Sequence, residues 1–485
     1  MNRFKVYAVA LCLLYFIGGL HAQKRNVIFI LTDDHRYDFM GFTGRIPWLK
    51  TPNLDRMATE GTWFKNAFVT TSLCSPSRAS ILTGQYSHVH TIVDNTAPEP
   101  KGLIYFPQYL QKAGYQTSFF GKWHMGNEDD KPRPGFDHWE SFKGQGVYWN
   151  PKLNIDGKEV QYGDSTYITD LLTDHALQWL KGRDKSKPFF LYLSHKAVHD
   201  PMQPVKRHRG LYAHQKYPVP ETYYQTSNDD YKKLGWPEWV KNQRYSWHGV
   251  DYPYHGHRPI EEFVQSYCET LLGVDESVGR VMDYLKSEGL DQRTLVIYMG
   301  DNGFAWGEHG LIDKRQFYEE SVKVPFLVYC PELLQGGGHT ITRMVQNVDI
   351  APTIMECAGL KKPDYMPGKS FIQLLHGDST AWRDKIFYEY YWEYDFPMTP
   401  TIYGVRTDKY KYIRAWGVWD THELYDIQND PNEVHNLIDD PAYSETAKAM
   451  AKDLFEWLES TKGMQIPLKK TNYRAGGDYR HRTQY

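Results

Sequence analysis

From Val27 to Leu31 the chain runs Val-Ile-Phe-Ile-Leu without a polar interruption, then breaks into Thr32-Asp33-Asp34. A continuous apolar run closed by turn-forming residues predicts a strand buried on both faces of a parallel sheet. Runs of the same kind occur at Gln116 to Phe120, Phe189 to Ser194, Thr294 to Met299 and Val324 to Tyr329. Helical patterns lie between them at Phe106 to Ala113, Ile168 to Leu180 and Ile260 to Ser287. An earlier helix is announced by Thr51-Pro52-Asn53-Leu54, with Thr51 as N-cap, proline in the first turn and Gly61 as terminator. Strands alternating with helices predict an α/β sandwich around a mainly parallel sheet.

Two stretches break the alternation. Residues 202–257 are rich in Tyr, Trp, His and Pro, with Trp236, Trp239, Trp247, Tyr252 and Tyr254 set among charges. A segment of that length is too long for an ordinary connection and reads as a functional insertion over one face of the domain. After Leu375 the runs Lys385 to Tyr391 and Ile402 to Ile413, the latter turning at Asp408-Lys409, predict antiparallel strands, with a helix near Thr446 to Leu458. These divide the chain into residues 1–22, a main domain over 23–375, and a small C-terminal subdomain with its tail over 376–485. The tail carries Lys469, Lys470, Arg474, Arg480 and Arg482. It reads as extended and solvated, contact with a polyanionic substrate being the alternative.

Composition narrows the class. The formal net charge of −3 gives no basic field for nucleic acid. Met-Asn-Arg-Phe-Lys followed by apolar residues from Val6 to Leu20 and then His21-Ala22-Gln23 reads as a cleaved signal peptide, with a signal anchor as the alternative. Export, to a periplasm or beyond the cell, with no stable membrane insertion after cleavage, is the resulting expectation. Beyond that point the cysteines are Cys74, Cys268, Cys330 and Cys357; should Cys74 be consumed by modification an odd number remains, so this is not a disulfide scaffold, and one bridge is allowed.

Candidate chemistry begins at the strand ends. Asp33-Asp34 follows the first strand and Asp301-Asn302-Gly303 follows the Thr294 to Met299 strand. In open α/β sheets ligands bind beyond the carboxyl ends of the strands. Three carboxylates and an amide converging there call for a hard cation, Ca2+ or Mg2+ rather than Zn2+. A further block is Cys74-Ser-Pro-Ser-Arg78, continuing Ala-Ser-Ile-Leu-Thr-Gly84. Residues Ser77 to Thr83 predict a helix just after Cys74, its N-terminus offering N–H groups to an anion.

This Cys-x-Pro-x-Arg block resembles the signature at which type I sulfatases of the alkaline phosphatase superfamily have cysteine oxidised to formylglycine. The resemblance runs from about Asn26 to Gly377, with a weaker echo beyond. It implies an alkaline-phosphatase-like α/β/α sandwich and a metal site of Asp33, Asp34, Cys74, Asp301 and Asn302, holding Ca2+ ahead of Mg2+. Maturation would need a formylglycine-generating enzyme. It further implies that Arg78, Lys122, His124, His199 and Lys314 bind sulfate or move protons. Lys122 and His124, in Gly121-Lys-Trp-His-Met-Gly126, share a face if the strand stays extended. Lys122 would hold a sulfate oxygen and His124 the nucleophile. His199 is the candidate acid for the leaving alcohol, with His195 as its rival.

Hydrated formylglycine is a geminal diol, so one hydroxyl can attack sulfur while the other later expels sulfate and restores the aldehyde. Arg78 would hold that hydrate in place.

Val93-Asp94-Asn95, Glu269-Thr-Leu-Leu272 with Val274-Asp275, and Ile312 to Glu319 look like N-acetylglucosamine-6-sulfatases. The same features occur in bacterial sulfatases acting on algal polysaccharides such as ulvan. The expected substrate is therefore a sulfated polysaccharide, algal or glycosaminoglycan, or its oligosaccharides, with sugar rings stacked on some of Trp236, Trp239 and Trp247. The alternatives are a phosphonate monoester hydrolase or phosphodiesterase, and a sulfated-glycan binding protein whose Cys74 stays unmodified.

Overall fold

The computed structural model describes residues 24–467 apart from 127–128, 226, 245, 247–248, 251–257, 335 and 418–420. The N-terminal apolar run, Trp247, Tyr252, Tyr254 and the basic residues from Lys469 onward lie outside the described residues. The strands in chain order are β1 (Asn26–Thr32), β2 (Thr62–Phe64), β3 (Ala67–Phe68), β4 (Gln116–Lys122), β5 (His138–Phe142), β6 (Lys152–Ile155), β7 (Lys158–Gln161) and β8 (Phe189–Ser194). They continue as β9 (Thr294–Gly300), β10 (Phe326–Tyr329), β11 (His339–Ile341), β12 (Val345–Gln346), β13 (Lys385–Tyr390), β14 (Thr401–Thr407), β15 (Tyr410–Trp416) and β16 (His422–Asp426).

Ten of them form one sheet in the order β11-β2-β10-β9-β1-β8-β4-β5-β6-β7. Its centre is parallel: β1 pairs with β8 and β9, and β4 with β8 and β5. Residues alternate across it as pleating requires. Val27, Phe29 and Leu31 enter one core, while Ile28 and Ile30 enter the other.

The last apolar run departs from the parallel pattern, since β10 lies antiparallel to both β9 and β2. A parallel return needs a long crossover. Between β9 and β10 the chain instead stays at the carboxyl edge, with single-turn helices at Glu308–Gly310 and Glu319–Val322, and so enters β10 from the end where β9 finished.

The main helices are α1 (Pro52–Glu60), α2 (Cys74–Thr83), α3 (Ile168–Gly182), α4 (Ile260–Ser287), α5 (Ile350–Cys357) and α6 (Ser444–Thr461). Two local expectations are corrected. Thr51 does not cap α1 with its side chain; its hydroxyl donates to Asp55 Oδ1 at 2.8 Å, and Asp275 on α4 accepts from the Asn53 and Leu54 N–H groups at 3.0 and 2.8 Å. Cys74 does not precede α2 but begins it.

β13 to β16 make a four-stranded antiparallel sheet, with the β14–β15 turn at residues 408–409 as expected and α6 packed on it. The insertion contributes short helices at Asn228–Leu234 and Glu238–Arg244 and bridges to this sheet's end of the molecule. Its two described tryptophans, Trp236 and Trp239, are not platforms. Trp236 is buried, with its indole N–H donating to Val434 O at 2.8 Å, and Trp239 is buried beside Tyr318. Cys74, Cys268, Cys330 and Cys357 are all free and buried, so the allowed bridge is absent among the described residues.

Candidate active site

Four adjacent parallel strands end at one edge of the sheet, each followed by or ending in a candidate residue. β1 delivers Asp33 and Asp34, β9 delivers Asp301 and Asn302, β4 ends on Lys122, and β8 leads through Ser194 to His199. The turns are tied together by backbone bonds: Asp33 N–H to Ala197 O at 2.9 Å, Val198 N–H to Asp33 O at 2.8 Å and Asp301 N–H to Thr32 O at 2.9 Å. Two consecutive strand residues point to opposite faces. Asp34 has φ +57°, which breaks that alternation, and oxygens of Asp33, Asp34 and Asp301 come within 4.8 Å of one another. A non-glycine residue in the left-handed region is uncommon and concentrates at functional sites.

Cys74 sits at the start of α2 with Sγ 3.3 Å from Asp33 Oδ1 and 3.0 Å from Lys314 Nζ. Lys314 also donates to Asp34, and Lys122 donates to Asp33 and to Gln145. The Arg78 fork places Nε and Nη2 at 2.9 and 2.8 Å from Asp301 Oδ2, while Nη1 donates to Ser194 Oγ and Lys122 O at 2.7 Å. Its guanidinium therefore props the carboxylate cluster.

His199 has Nε2 3.7 Å from Asp34 Oδ2 and Nδ1 2.9 Å from the Asp200 carbonyl. A carbonyl can only accept, so Nδ1 carries the proton and Nε2 faces the site. Its rival His195 is elsewhere, bonded through Nε2 to Ser277 Oγ at 3.0 Å on α4. His124 borders the site differently from expectation. The strand stops at Lys122, His124 has φ +61°, and its Nδ1 lies 3.4 Å from Ser75 Oγ, next to Cys74.

Electrostatics distinguish the acids. Burial works against ionised Asp33, yet Lys122, His199 and Arg78 hold it well below the usual carboxylate range. Burial and the neighbouring carboxylates push Asp301 up to about 6, and burial raises Asp34 despite Lys314. The protein's own cations do not fully compensate the cluster. Asn302 adds a second sign: Nδ2 donates to Asp34 Oδ1 at 2.7 Å, while Oδ1 is buried with no hydrogen-bond partner. Crowded carboxylates and an orphaned amide oxygen are a donor set that fits a hard divalent cation. Burial, then Asp33, pushes the Cys74 thiol up to about 12, so the unmodified side chain is a poor nucleophile at neutral pH.

Sequence reasoning passed over three contributors. Gln145 lies in the loop after β5 and has no local signature; only the fold brings it to Lys122. Lys196, within the Ser194 to His199 segment, donates to Asp200 O at 3.1 Å and lies 4.8 Å from the Tyr148 ring centroid, and burial lowers it to about 8. The Tyr148 hydroxyl donates to His199 O at 2.6 Å. A lysine three residues before the candidate acid was the available signal for the second; Tyr148 had none.

Comparison with known proteins supplies the family. The sulfatase family matches residues 25–360, and the C-terminal region of N-sulphoglucosamine sulphohydrolase matches residues 307–460. An N-acetylglucosamine-6-O-sulfatase of Bacteroides thetaiotaomicron is 32% identical, over 90% of this chain and 86% of its own length. A solved structure in complex with its substrate D-glucosamine-2-N,6-O-disulfate superposes with a TM-score of 0.83 at 30% identity, covering 92% of this chain and 99% of the other. The phosphonate monoester hydrolase of Agrobacterium radiobacter shares the fold alone, with a TM-score of 0.74 at 20% identity over 93% of this chain and 97% of its own. The architecture is that of the alkaline-phosphatase-like hydrolases. The chain belongs to the sulfatase family and is a sulfuric ester hydrolase.

Proposed function

We propose that the protein removes sulfate from a sulfated amino sugar in a polysaccharide or its oligosaccharides, using formylglycine made from Cys74 and a Ca2+ ion held by Asp33, Asp34, Asp301 and Asn302. The observation that carries this is the convergence of those four residues, Lys122, Lys314 and His199 on a buried Cys74. The substrate class rests on the relatives, one named for N-acetylglucosamine 6-sulfate and one holding a glucosamine disulfate. When bound, the cation polarises a sulfate oxygen and favours ionisation of a hydroxyl on the converted residue.

The chain's own groups do the rest. Lys122 and Lys314 hold sulfate oxygens as point charges. Arg78 fixes Asp301. His199, oriented through Nδ1 to the Asp200 carbonyl, presents Nε2 to the leaving sugar oxygen, and Asp33 favours its protonated form. Burial, with Lys122, Lys314 and Lys196 nearby, keeps His199 well below the ordinary imidazole value, so an anionic ester that offsets those cations would favour its acid form. His124, beside Ser75, is placed to receive a proton from the Cys74 side.

The test pairs mass analysis of the Cys74 peptide with turnover. Protein carrying verified aldehyde should release sulfate from N-acetylglucosamine 6-sulfate and from an aryl sulfate far faster than phosphate ester from an aryl phosphodiester. Faster phosphodiester cleavage would make it a phosphohydrolase, and tight glycan binding without turnover would make it a binding protein. Maturation by a formylglycine-generating enzyme and export on the Val6 to Leu20 run belong to the same proposal. Co-expression with and without that enzyme, and N-terminal sequencing of exported material starting near Gln23, check each.

A further inference from the structure

Residues 391–400, which join β13 to β14, are fastened one residue away from the site. Lys314 contacts Asp34 and Cys74, and its chain neighbour Arg315 places Nε 2.8 Å from Glu393 Oε1 and its guanidinium 3.4 Å from the centroid of the Phe396 ring. Tyr390 also donates to Glu393 Oε1 at 2.8 Å. The Trp392 N–H donates to Thr401 Oγ1 at 3.0 Å and its indole N–H to Pro397 O at 3.2 Å. The insertion helix meets the same loop through Gln243 Nε2 and Thr399 Oγ1 at 2.6 Å.

Polar bonds, the buried Tyr391 and the Arg315–Phe396 contact hold the loop, while Trp392 and Tyr394 stay in solvent. Trp392 is 41% exposed and Tyr394 51%, with their rings 6.3 Å apart at 89°. This contrasts with Trp236 and Trp239, which the fold buries. Open aromatic faces on a loop fastened to Arg315, the chain neighbour of Lys314, suit the C–H face of a pyranose ring. Charge adds a selection. Residues 391–400 contain Glu393 and Asp395 and no lysine, arginine or histidine. Glu393 is buried against Arg315, and Asp395 is exposed. A sulfated ring would bring its anion against Asp395; a neutral ring would donate hydroxyls to it.

We propose that residues 391–398 form the subsite for the sugar next to the sulfated one, with Trp392 and Tyr394 as stacking surface, and that this subsite takes a neutral pyranose. This inference rests on the carbohydrate sulfatase reading.

Three probes test it on the aldehyde-bearing protein: N-acetylglucosamine 6-sulfate, an N-acetylglucosamine trisaccharide with one terminal 6-sulfate, and the same trisaccharide sulfated on every ring. The W392A/Y394A variant should raise KM for the singly sulfated trisaccharide about tenfold, leaving kcat and the monosaccharide KM unchanged. The wild type should disfavour the fully sulfated trisaccharide, and D395N should improve its kcat/KM about threefold without affecting the singly sulfated one. Equal KM values for variant and wild type overturn the stacking role. A KM increase shared by monosaccharide and trisaccharide also overturns the subsite, because it reports displacement of Arg315 and Lys314. An unchanged preference in D395N overturns the selection. If the wild type cleaves an aryl sulfate but none of the three sugars, the carbohydrate reading itself fails.

Discussion

The molecule holds two clusters of buried charge, only a few residues apart in sequence at Lys314 and Glu319, and they are built on opposite principles. Where the four-stranded sheet meets the large one, Glu319 pairs with Arg406 at 2.9 Å and Lys411 at 2.8 Å, and Lys411 also reaches Glu433 at 2.6 Å and Phe317 O at 2.8 Å. Burial opposes ionised Glu319, yet Arg406, Lys411 and Lys323 hold it well below its ordinary range. Glu433, raised to about 7 by burial, takes up the remaining imbalance. The site cluster has Arg78, Lys122 and Lys314 against Asp33, Asp34 and Asp301, but there the carboxylates crowd together, Asp301 is pushed upward and Asn302 Oδ1 has no hydrogen-bond partner. Buried charge by itself is therefore a poor marker of a site. What sets the site apart is where its charge sits: its carboxylates meet Asn302 and Cys74 at the carboxyl ends of the parallel strands, where such sheets bind ligands.

The comparison breaks most sharply at the nucleophile. C74A should lower kcat on an aryl sulfate by about 10^5-fold with the melting temperature unchanged. A residual rate within tenfold of wild type would remove Cys74 from the chemistry. Next, stripping divalent cations should reduce kcat by about 10^3-fold, with Ca2+ restoring it better than Mg2+. Full activity in protein verified metal-free by elemental analysis would count against the four-ligand site.

Two lysines then separate the clusters directly. K411M should destabilise the fold by about 3–5 kcal/mol, because it leaves Glu319 and Glu433 buried with less compensation, while kcat per folded molecule stays near wild type. K314M should do the reverse, losing about 10^2-fold in kcat with little change in chemical denaturation. If both lysines mainly affected stability, the distinction between the clusters would collapse.

The smallest effect concerns His88, whose Nδ1 lies 2.8 Å from Glu389 Oε2 and whose Nε2 contacts Thr461 O at 3.1 Å at the end of α6. Burial lowers the imidazole, but Glu389 outweighs it and the net shift is upward. A raised histidine contributes stability fully present below its unfolded value of about 6.5 and lost as pH climbs through the higher folded value. Melting temperature should therefore decline over that window, and H88Q should flatten the decline. A wild-type profile identical to that of H88Q would show the pair contributes nothing.

Much of the fold was legible because burial on both faces leaves no room for polar interruptions. The β1, β4, β8 and β9 strands appear as apolar runs, and the acids at their ends follow from the rule that such sheets bind ligands at their carboxyl edge. The direction of β10 was not legible, since an apolar run carries no sign of which end the chain enters from. Nor was the Thr51 cap, because its replacement, Asp275, is 222 residues from Asn53 and reaches it only through the packing of α4.

The sequence alone showed the buried strands, the Asp33-Asp34 and Asp301-Asn302 pairs at their ends, and the Cys74 block with a helix close after it, because residue type and spacing carry those signals locally. Packing set the rest: His199 and not His195 faces the acids, Gln145 joins Lys122, and Trp392 and Tyr394 are exposed while Trp236 and Trp239 are buried. The physical reason is that a side chain's polarity fixes what it can bind, whereas its exposure depends on which distant segment packs against it.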